Sequence, residues 1–316
     1  MQSSVAARVR APQGLRTKAL DPGDRLTVAL GQYDTGWHDP VTSLARARGI
    51  AQQARAAGAN LLVLPEMCAS GFTMDVENFA EAPDGPSVRG LSAMAADHHL
   101  WLIAGLSICR NGEYVNSALA FAPDGSLVAT YDKQCLFEYA GETGVYSAGT
   151  SSCVIQVAGL SVALFVCFDL RFPELFHGVG PKVDACVIIA NWPSARQRHW
   201  EVLTQARAIE NQCYVVAVNR IGDGDGLKYS GGSMILNPLG ERCDRPARDS
   251  SLGIGEVLRS TVASVREAFP LADGRAKTEK EVATPTRIEQ APTGLAPRLH
   301  QPIDFTEGTR RSRPVS

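Results

Sequence analysis

The chain has 316 residues, 45% of them hydrophobic, with a formal net charge of −2 and a pI near 6.3. That is enough for one large α/β domain, or two small ones, with a sizeable core. The near-neutral balance gives no basic stripe for nucleic acid and no acidic solvating tail, and no apolar run approaches the ~18 residues needed to span a bilayer.

The first twenty residues carry Arg8, Arg10, Arg16 and Lys18 and no acid. A transit-type leader has this composition, but the segment has no hydrophobic stretch for a secretory signal. Residues 1–24 are read as a disordered N-terminal extension. A first strand is expected over Arg25–Tyr33. The spacing then predicts a helix from Val41 to Ala57, with Val41, Leu44, Ala47, Ile50, Ala51 and Ala54 on one face and Gly58 ending it. Leu61–Leu64 reads as a short strand buried on both sides. A second helix covers Ser87–His98. Strands follow near Trp101–Ile108, Tyr114–Ala122 and Leu127–Tyr131, with Asp124-Gly125 as a hairpin turn.

The second half repeats the alternation. Strands are expected near Cys153–Val157 and Leu160–Val166, joined at Ala158-Gly159, then a short helix at Pro173–Gly178 and a buried strand over Val183–Ala190. Arg198–Gln212 is a long helix and Tyr214–Val218 a strand. Gly222-Asp-Gly-Asp-Gly226 is read as a flexible loop with a lid role open to it; its spacing is not that of a dinucleotide loop. Strands near Ser233–Leu236 and Gly253–Leu258 close the ordered part. Beyond Arg275 the apolar periodicity stops, so 25–274 is taken as the folded domain and 275–316 as a flexible or surface-draped tail. Helices alternating with strands, with hairpins in the middle, predict helical layers packed on sheets, an α/β fold.

The nearest of the eight cysteines, Cys153 and Cys167, stand fourteen positions apart. Close pairs of the kind that mark zinc sites or redox dithiols are therefore missing, and no metal is expected. Most thiols read as buried, reduced hydrophobes of a cytoplasmic protein. Cys167 differs. It ends the apolar run Ser161–Cys167, directly before Phe168-Asp-Leu-Arg-Phe-Pro-Glu174. A strand that stops at a thiol, with a new element starting there, exposes a nucleophile. Hydrolysis of an unactivated amide also needs a base and positive charge at the developing oxyanion. Glu66, behind a proline at a strand end, suits the base. Lys133 suits the electrophile, favouring the thiolate and then holding the oxyanion together with the Phe168 backbone N–H.

Three segments in this order, Leu64-Pro65-Glu66, Asp132-Lys133 and Cys167–Glu174, resemble the signatures of the nitrilase superfamily of carbon–nitrogen hydrolases. The resemblance runs from Leu26 to Phe269. It implies a four-layer αββα sandwich without a cofactor, commonly dimerised or larger. It also implies a fourth acid, Glu142 in Gly141–Gly149, that positions the substrate amide or the water. Asn191-Trp192-Pro193, Arg198-His199-Trp200 and Gln205–Gln212 look most like the bacterial omega-amidases, which release ammonia from 2-oxoglutaramate and similar amides. The family often has His two residues after the lysine. Cys135 stands there in this chain, so altered packing or polarity is expected around it.

Other residues carry less specific signals. Arg171 either pairs a substrate carboxylate through its fork or pairs Glu174 three positions on. Asn191 and Trp192, at the end of a strand parallel to that of Cys167, are expected to line the pocket. Arg207 and Glu210 read as a structural ion pair, and His199 as a packed or hydrogen-bonding residue. The small-molecule alternatives on the same machinery are N-carbamoyl amines and deaminated-glutathione-like amides. A catalytically silent binding member is the reading from a different class. A serine hydrolase lacks its G-x-S-x-G elbow, and a nicotinamide enzyme its glycine fingerprint.

Overall fold

The computed structural model describes residues 23–246 and 251–271. Nearly all of the expected N-terminal extension, and the whole of the expected tail, lie outside the described residues.

Strand β1 (Arg25–Gly31) leads to helix α1 (Pro40–Ala56). Asp39-Pro40 explains where α1 starts. The Asp39 carboxylate accepts from the Thr42 N–H at 3.0 Å, and a first helical residue has no use for the N–H that proline lacks. Its buried face is Ser43, Ala47, Ile50, Ala51 and Ala54. Val41, expected on that face, is 81% exposed. Six positions before Ala47, it lies about 120° around the helix from it, outside the stripe. Next come β2 (Leu61–Val63), a short α2 (Val76–Phe79), α3 (Pro86–His98), β3 (Trp101–Arg110), β4 (Glu113–Phe121) and β5 (Leu127–Asp132). The second half holds β6 (Val154–Val157), β7 (Leu160–Val166), α4 (Pro173–His177), β8 (Ala185–Ala190), α5 (Gln197–Asn211) and β9 (Tyr214–Asn219). A hairpin of β10 (Ile221–Gly224) and β11 (Leu227–Ser230) follows, then β12 (Met234–Leu236), β13 (Arg245–Pro246), β14 (Leu252–Leu258) and α6 (Arg259–Ala268).

Two sheets form. One has the order β13-β14-β1-β2-β3-β4-β5, the other β12-β9-β8-β7-β6. Each has a parallel centre of three strands, β1-β2-β3 and β7-β8-β9, with antiparallel flanks. The inner faces share one core, in which Val28, Leu30, Val63 and Ile103 meet Leu164, Val187, Ile189 and Val216. On the outer face of the larger sheet, α1 and α3 pack through Ala47, Ile50 and Leu91 over Leu62 and Leu102. On the smaller sheet, α5 buries Trp200, Thr204 and Ala208. The result is the four-layer αββα sandwich. Strands covered on both faces need uninterrupted apolar runs, which is why β2, β8 and β9 are buried along their whole length. No helix among the described residues is long and apolar enough to cross a membrane.

Two expectations need correction. Residues 222–226 are not an open loop: Asp225 (φ 49°) and Gly226 (φ 72°) form the two-residue turn of the β10–β11 hairpin. Asp-Gly is the turn signal for such a hairpin, and the surrounding glycines mask it. The ordered chain also does not close with β14. Helix α6 comes after it, tied down chiefly by polar contacts: Arg266 donates to the carbonyls of Gln212, Gly180 and Val183. Only Val262 of α6 is fully buried, although the helix is amphipathic.

One close approach sets the position of the candidate base. A Cβ built at Gly105 in β3 would lie 2.6 Å from the Glu66 Cα and 2.8 Å from the Met67 N, with Ile189 Cδ1 of the other sheet at 2.9 Å. Gly105→Ala should therefore push the Glu66 backbone outward. The expected cost is about 1–3 kcal/mol in denaturant unfolding, the usual range for overpacking. A variant as stable as the parent would show that this contact is not tight.

Candidate active site

The candidate residues come from the carboxyl ends of strands in both sheets. Glu66 follows β2, Lys133 follows β5, Cys167 follows β7, and Asn191 and Trp192 follow β8. Because β7 and β8 run parallel with Val166 opposite Ile189, Cys167 and Asn191 emerge side by side. Their contact is direct: the Cys167 Sγ lies 3.8 Å from the Asn191 carbonyl oxygen.

Behind the thiol lies a closed charge cluster. Lys133 is 1% exposed, and Glu66 and Glu142 are 0% exposed. The Lys133 Nζ donates to Glu66 Oε1 at 3.0 Å and to Glu142 Oε1 and Oε2 at 3.0 and 2.9 Å. Asn116, a residue on β4 that the sequence did not single out, donates its amide group to both carboxylates. It reaches Glu66 Oε1 at 2.7 Å and Glu142 Oε1 at 2.8 Å. The remaining oxygens are filled from the backbone: Asn191 N–H donates to Glu66 Oε2 at 2.8 Å, and Phe137 N–H to Glu142 Oε2 at 2.6 Å. Asn191 also donates its side-chain amide to the Glu66 carbonyl at 2.6 Å. Both asparagines direct N–H toward anions and leave their buried Oδ1 without a partner. Turning either amide over would set an oxygen against a carboxylate, at greater cost. Burial works against the Lys133 charge, but the Glu66 and Glu142 carboxylates outweigh it and hold the ammonium above the ordinary lysine range.

This geometry refines two expected roles. Glu142 was expected at the substrate amide or the water; its contacts in this structure are Lys133, Asn116 and Phe137. Asn191 was expected as a wall. It is one, and its stronger contacts clamp Glu66 in place.

Cys167 has φ 47°, a left-handed conformation that a non-glycine residue adopts only under constraint. Asp169 supplies the constraint. Its buried carboxylate accepts from the Val166 N–H at 2.9 Å, the Cys135 N–H at 2.8 Å and the Tyr131 hydroxyl at 2.8 Å. The turn that presents the thiol is thereby tied to the segment after Lys133. Burial pushes the Asp169 carboxyl up to about 6, against the pull of those donors. Cys135 joins this network through its backbone, and its thiol, half-buried beside Asp169, is pushed up to about 11. The side chain at that position therefore adds no charge.

The thiol state differs from the expectation that Lys133 favours a thiolate. Burial, then the Glu66 charge, raise the Cys167 pKa well above that of a free thiol, and the pull of Lys133 does not offset them. Cys167 opens a 3-10 turn, Cys167–Arg171, that leads into the five-residue α4, with little helix dipole to help. Burial and the neighbouring carboxylate thus both favour the protonated thiol.

Cys167 faces a cavity of about 280 Å³. Phe72, Phe137, Phe168, Trp192, Leu227 and Tyr229 supply its apolar walls, and Lys133, Arg171 and Arg196 its cations. The β10–β11 hairpin forms one side, pinned by Arg220, which stacks on Tyr229 at 4.5 Å and pairs with Asp34 at 2.7 Å. Arg171 does not pair with Glu174. Its guanidinium lies 4.8 Å over the Trp192 ring and donates to His199 Nδ1 at 3.3 Å. Arg207 does pair with Glu210, at 2.8 Å, and it also donates to the Leu170 carbonyl below the nucleophile turn. The described residues contain no group of three or more His, Cys, Asp or Glu arranged to hold a metal ion.

Comparison with known proteins agrees with this architecture. The carbon–nitrogen hydrolase family model matches residues 27–267. The omega-amidase YafV of Escherichia coli K12 is 35% identical over 215 residues, covering 67% of this chain and 83% of that protein. The 2-oxoglutaramate amidase of Bacillus subtilis is 30% identical over 252 residues, covering 78% and 96%. Among solved structures, Xanthomonas campestris XC1258 superposes with a TM-score of 0.73 at 31% identity, over 78% of this chain and 95% of that one. It is a CN-hydrolase superfamily protein with an arsenic adduct in its active site. Saccharomyces cerevisiae Nit3, of the nitrilase superfamily, also gives 0.73, at 25% identity over 80% and 97%.

The charge cluster predicts a stability effect separate from chemistry. Lys133→Met keeps the volume and removes the one cation between two buried carboxylates. It should lower unfolding free energy by about 3–5 kcal/mol at pH 7, the cost of breaking a buried ion pair from one side. Denaturant melts of the two proteins check this; equal midpoints would mean that the carboxylates do not depend on Lys133.

Proposed function

The chain belongs to the carbon–nitrogen hydrolase family and is a hydrolase acting on amides, and we propose that Cys167 attacks the terminal carboxamide of a small carboxylate-bearing amide resembling 2-oxoglutaramate. The observation that carries this reading is local. Cys167 and Arg171 lie on one short turn facing one cavity, the first a thiol beside a buried carboxylate, the second a guanidinium with no acid partner among the described residues. The relatives named omega-amidase and 2-oxoglutaramate amidase support the same substrate class.

The steps are set by where protons are held. Glu66 takes the Cys167 proton as sulfur bonds to the amide carbon, which removes the need for a preformed thiolate. The carbonyl oxygen becomes an oxyanion facing Lys133 and the Phe168 N–H. Lys133 gives two of its three hydrogen bonds to Glu142, so one can move to the oxyanion while the ion pair persists. The C–N bond then breaks. Glu66 delivers its proton to the nitrogen, and ammonia leaves a thioester on Cys167. Water attacks the thioester carbon, Glu66 accepts its proton and returns it to sulfur, and the acid departs. Glu142 and Asn116 act through Lys133 and Glu66 and touch no reacting atom. Arg171 holds the substrate carboxylate through a charge-assisted fork.

Cys167→Ala is expected to abolish ammonia release from 2-oxoglutaramate while the melting curve keeps its shape. Glu66→Gln should lower kcat by about 10²-fold or more, the range for a lost general base. Wild-type turnover in the alanine variant would overturn the assignment of the nucleophile, and an effect of Glu66→Gln confined to KM would make Glu66 a binding residue. Arg171→Lys should reduce the preference for 2-oxoglutaramate over propionamide, measured as a ratio of kcat/KM, by at least ~10-fold, because an ammonium cannot reproduce the fork. An undiminished ratio would remove Arg171 from substrate binding.

A further inference from the structure

The same cavity holds a second guanidinium. Arg196 ends the 3-10 turn Ser194–Arg196 that comes after Trp192-Pro193, and its carbonyl accepts from the Trp192 Nε1–H at 2.9 Å. This bond ties its backbone to the cavity wall. The Arg196 guanidinium lies 5.4 Å from the Phe137 ring centroid, the Phe137 ring lies 4.8 Å from that of Phe168, and Arg171 stacks 5.7 Å over the Phe168 ring. The two cations are therefore carried on one aromatic shelf.

Their shared surroundings are unfavourable without an anion. Neither Arg171 nor Arg196 forms an ion pair with any described residue. The cavity's two acids are engaged elsewhere or remote in role: Asp75 accepts from Asn78, and Asp225 sits exposed at the hairpin tip. Burial lowers the Arg171 pKa, and the neighbouring Arg196 charge lowers it further. Two like charges, partly desolvated and close enough to repel, are stabilised together by one carboxylate. Arg171 spends one N–H on His199, and its other donors, like those of Arg196, are not taken up by any described acid.

We propose that Arg196 is a second substrate-binding cation and forms with Arg171 a two-guanidinium seat for the substrate carboxylate. This rests on the amidase reading above and adds a specificity-determining residue to it. Arg171 sits on the turn after β7 and Arg196 on the turn after β8, so the seat fixes the carboxylate from two strand ends at once. A carboxylate held from two directions has its distance to the reacting carboxamide restricted, which selects chain length as well as charge.

The test compares glutaric acid monoamide with valeramide, which has the same five-carbon chain without the carboxylate, and adds calorimetric titration with glutarate. Arg196→Gln is expected to lower the glutaric monoamide to valeramide ratio of kcat/KM by at least about tenfold, chiefly through KM, and to weaken glutarate binding by a similar factor. Arg196→Lys, which keeps charge without the fork, should fall between, and serves if the glutamine variant folds poorly. In the Arg171→Lys, Arg196→Gln double variant the losses should be less than multiplicative, as for two groups sharing one ligand. An unchanged ratio together with unchanged glutarate affinity would overturn the proposal. If the wild-type protein released ammonia from neither amide, the amidase reading would fail, and the glutarate titration would still decide the seat.

Discussion

The site is built around the Lys133 ammonium. A cation in a protein interior loses several kcal/mol of hydration, and this one stays charged only because Glu66 and Glu142 both point at it. The carboxylates repel each other in turn, and Asn116 sits between them with one N–H for each. The three charges and the amide form a single closed unit. Removing Lys133 leaves two buried carboxylates without a cation, and removing Asn116 leaves each of them short of a donor, so the arrangement is fixed to a degree that packing alone does not impose.

That rigidity has a chemical use. With Glu66 held by Lys133, Asn116 and Asn191, its carboxylate cannot swing away from the thiol. Burial first, and then the Glu66 charge, push the Cys167 thiol up. The strained backbone at Cys167 belongs to the same design, since Asp169 holds the turn through three donors drawn from two segments.

Outside the cluster the cavity changes character. Aromatic rings provide area, and the guanidinium groups of Arg171 and Arg196 provide charge that no described acid neutralises. The charges of the cluster are thus paired and buried, whereas those of Arg171 and Arg196 meet no described acid and line the cavity. The β10–β11 hairpin completes the wall, and its position depends on Arg220, a fully buried cation balanced by Asp34 and the Tyr229 ring.

Much of this is legible in the chain itself. Apolar runs ending in Glu66 and Cys167, and the Asp132-Lys133 pair, mark strand ends, because a strand buried on both faces cannot carry charge until it leaves the sheet. Hydrophobic periodicity likewise locates nearly every long helix and strand. Other features have no local signature. Asn116 lies mid-strand among small residues, and only the pairing of β4 with β3 and β5 brings its amide between two carboxylates fifty and twenty-six positions away. Helix α6 carries a helical period, but its anchor, Arg266, has no local signature, because it gains its meaning from distant carbonyl groups. The thiol's protonation state lacks one for the same reason: it depends on how many charges share one buried volume, a quantity set by the packing of the two sheets. Periodicity and strand-end chemistry are properties of neighbours along the chain, so they can be read from residue order. The balance of buried charge is a property of neighbours in space, and it comes into being only when the two sheets close on each other.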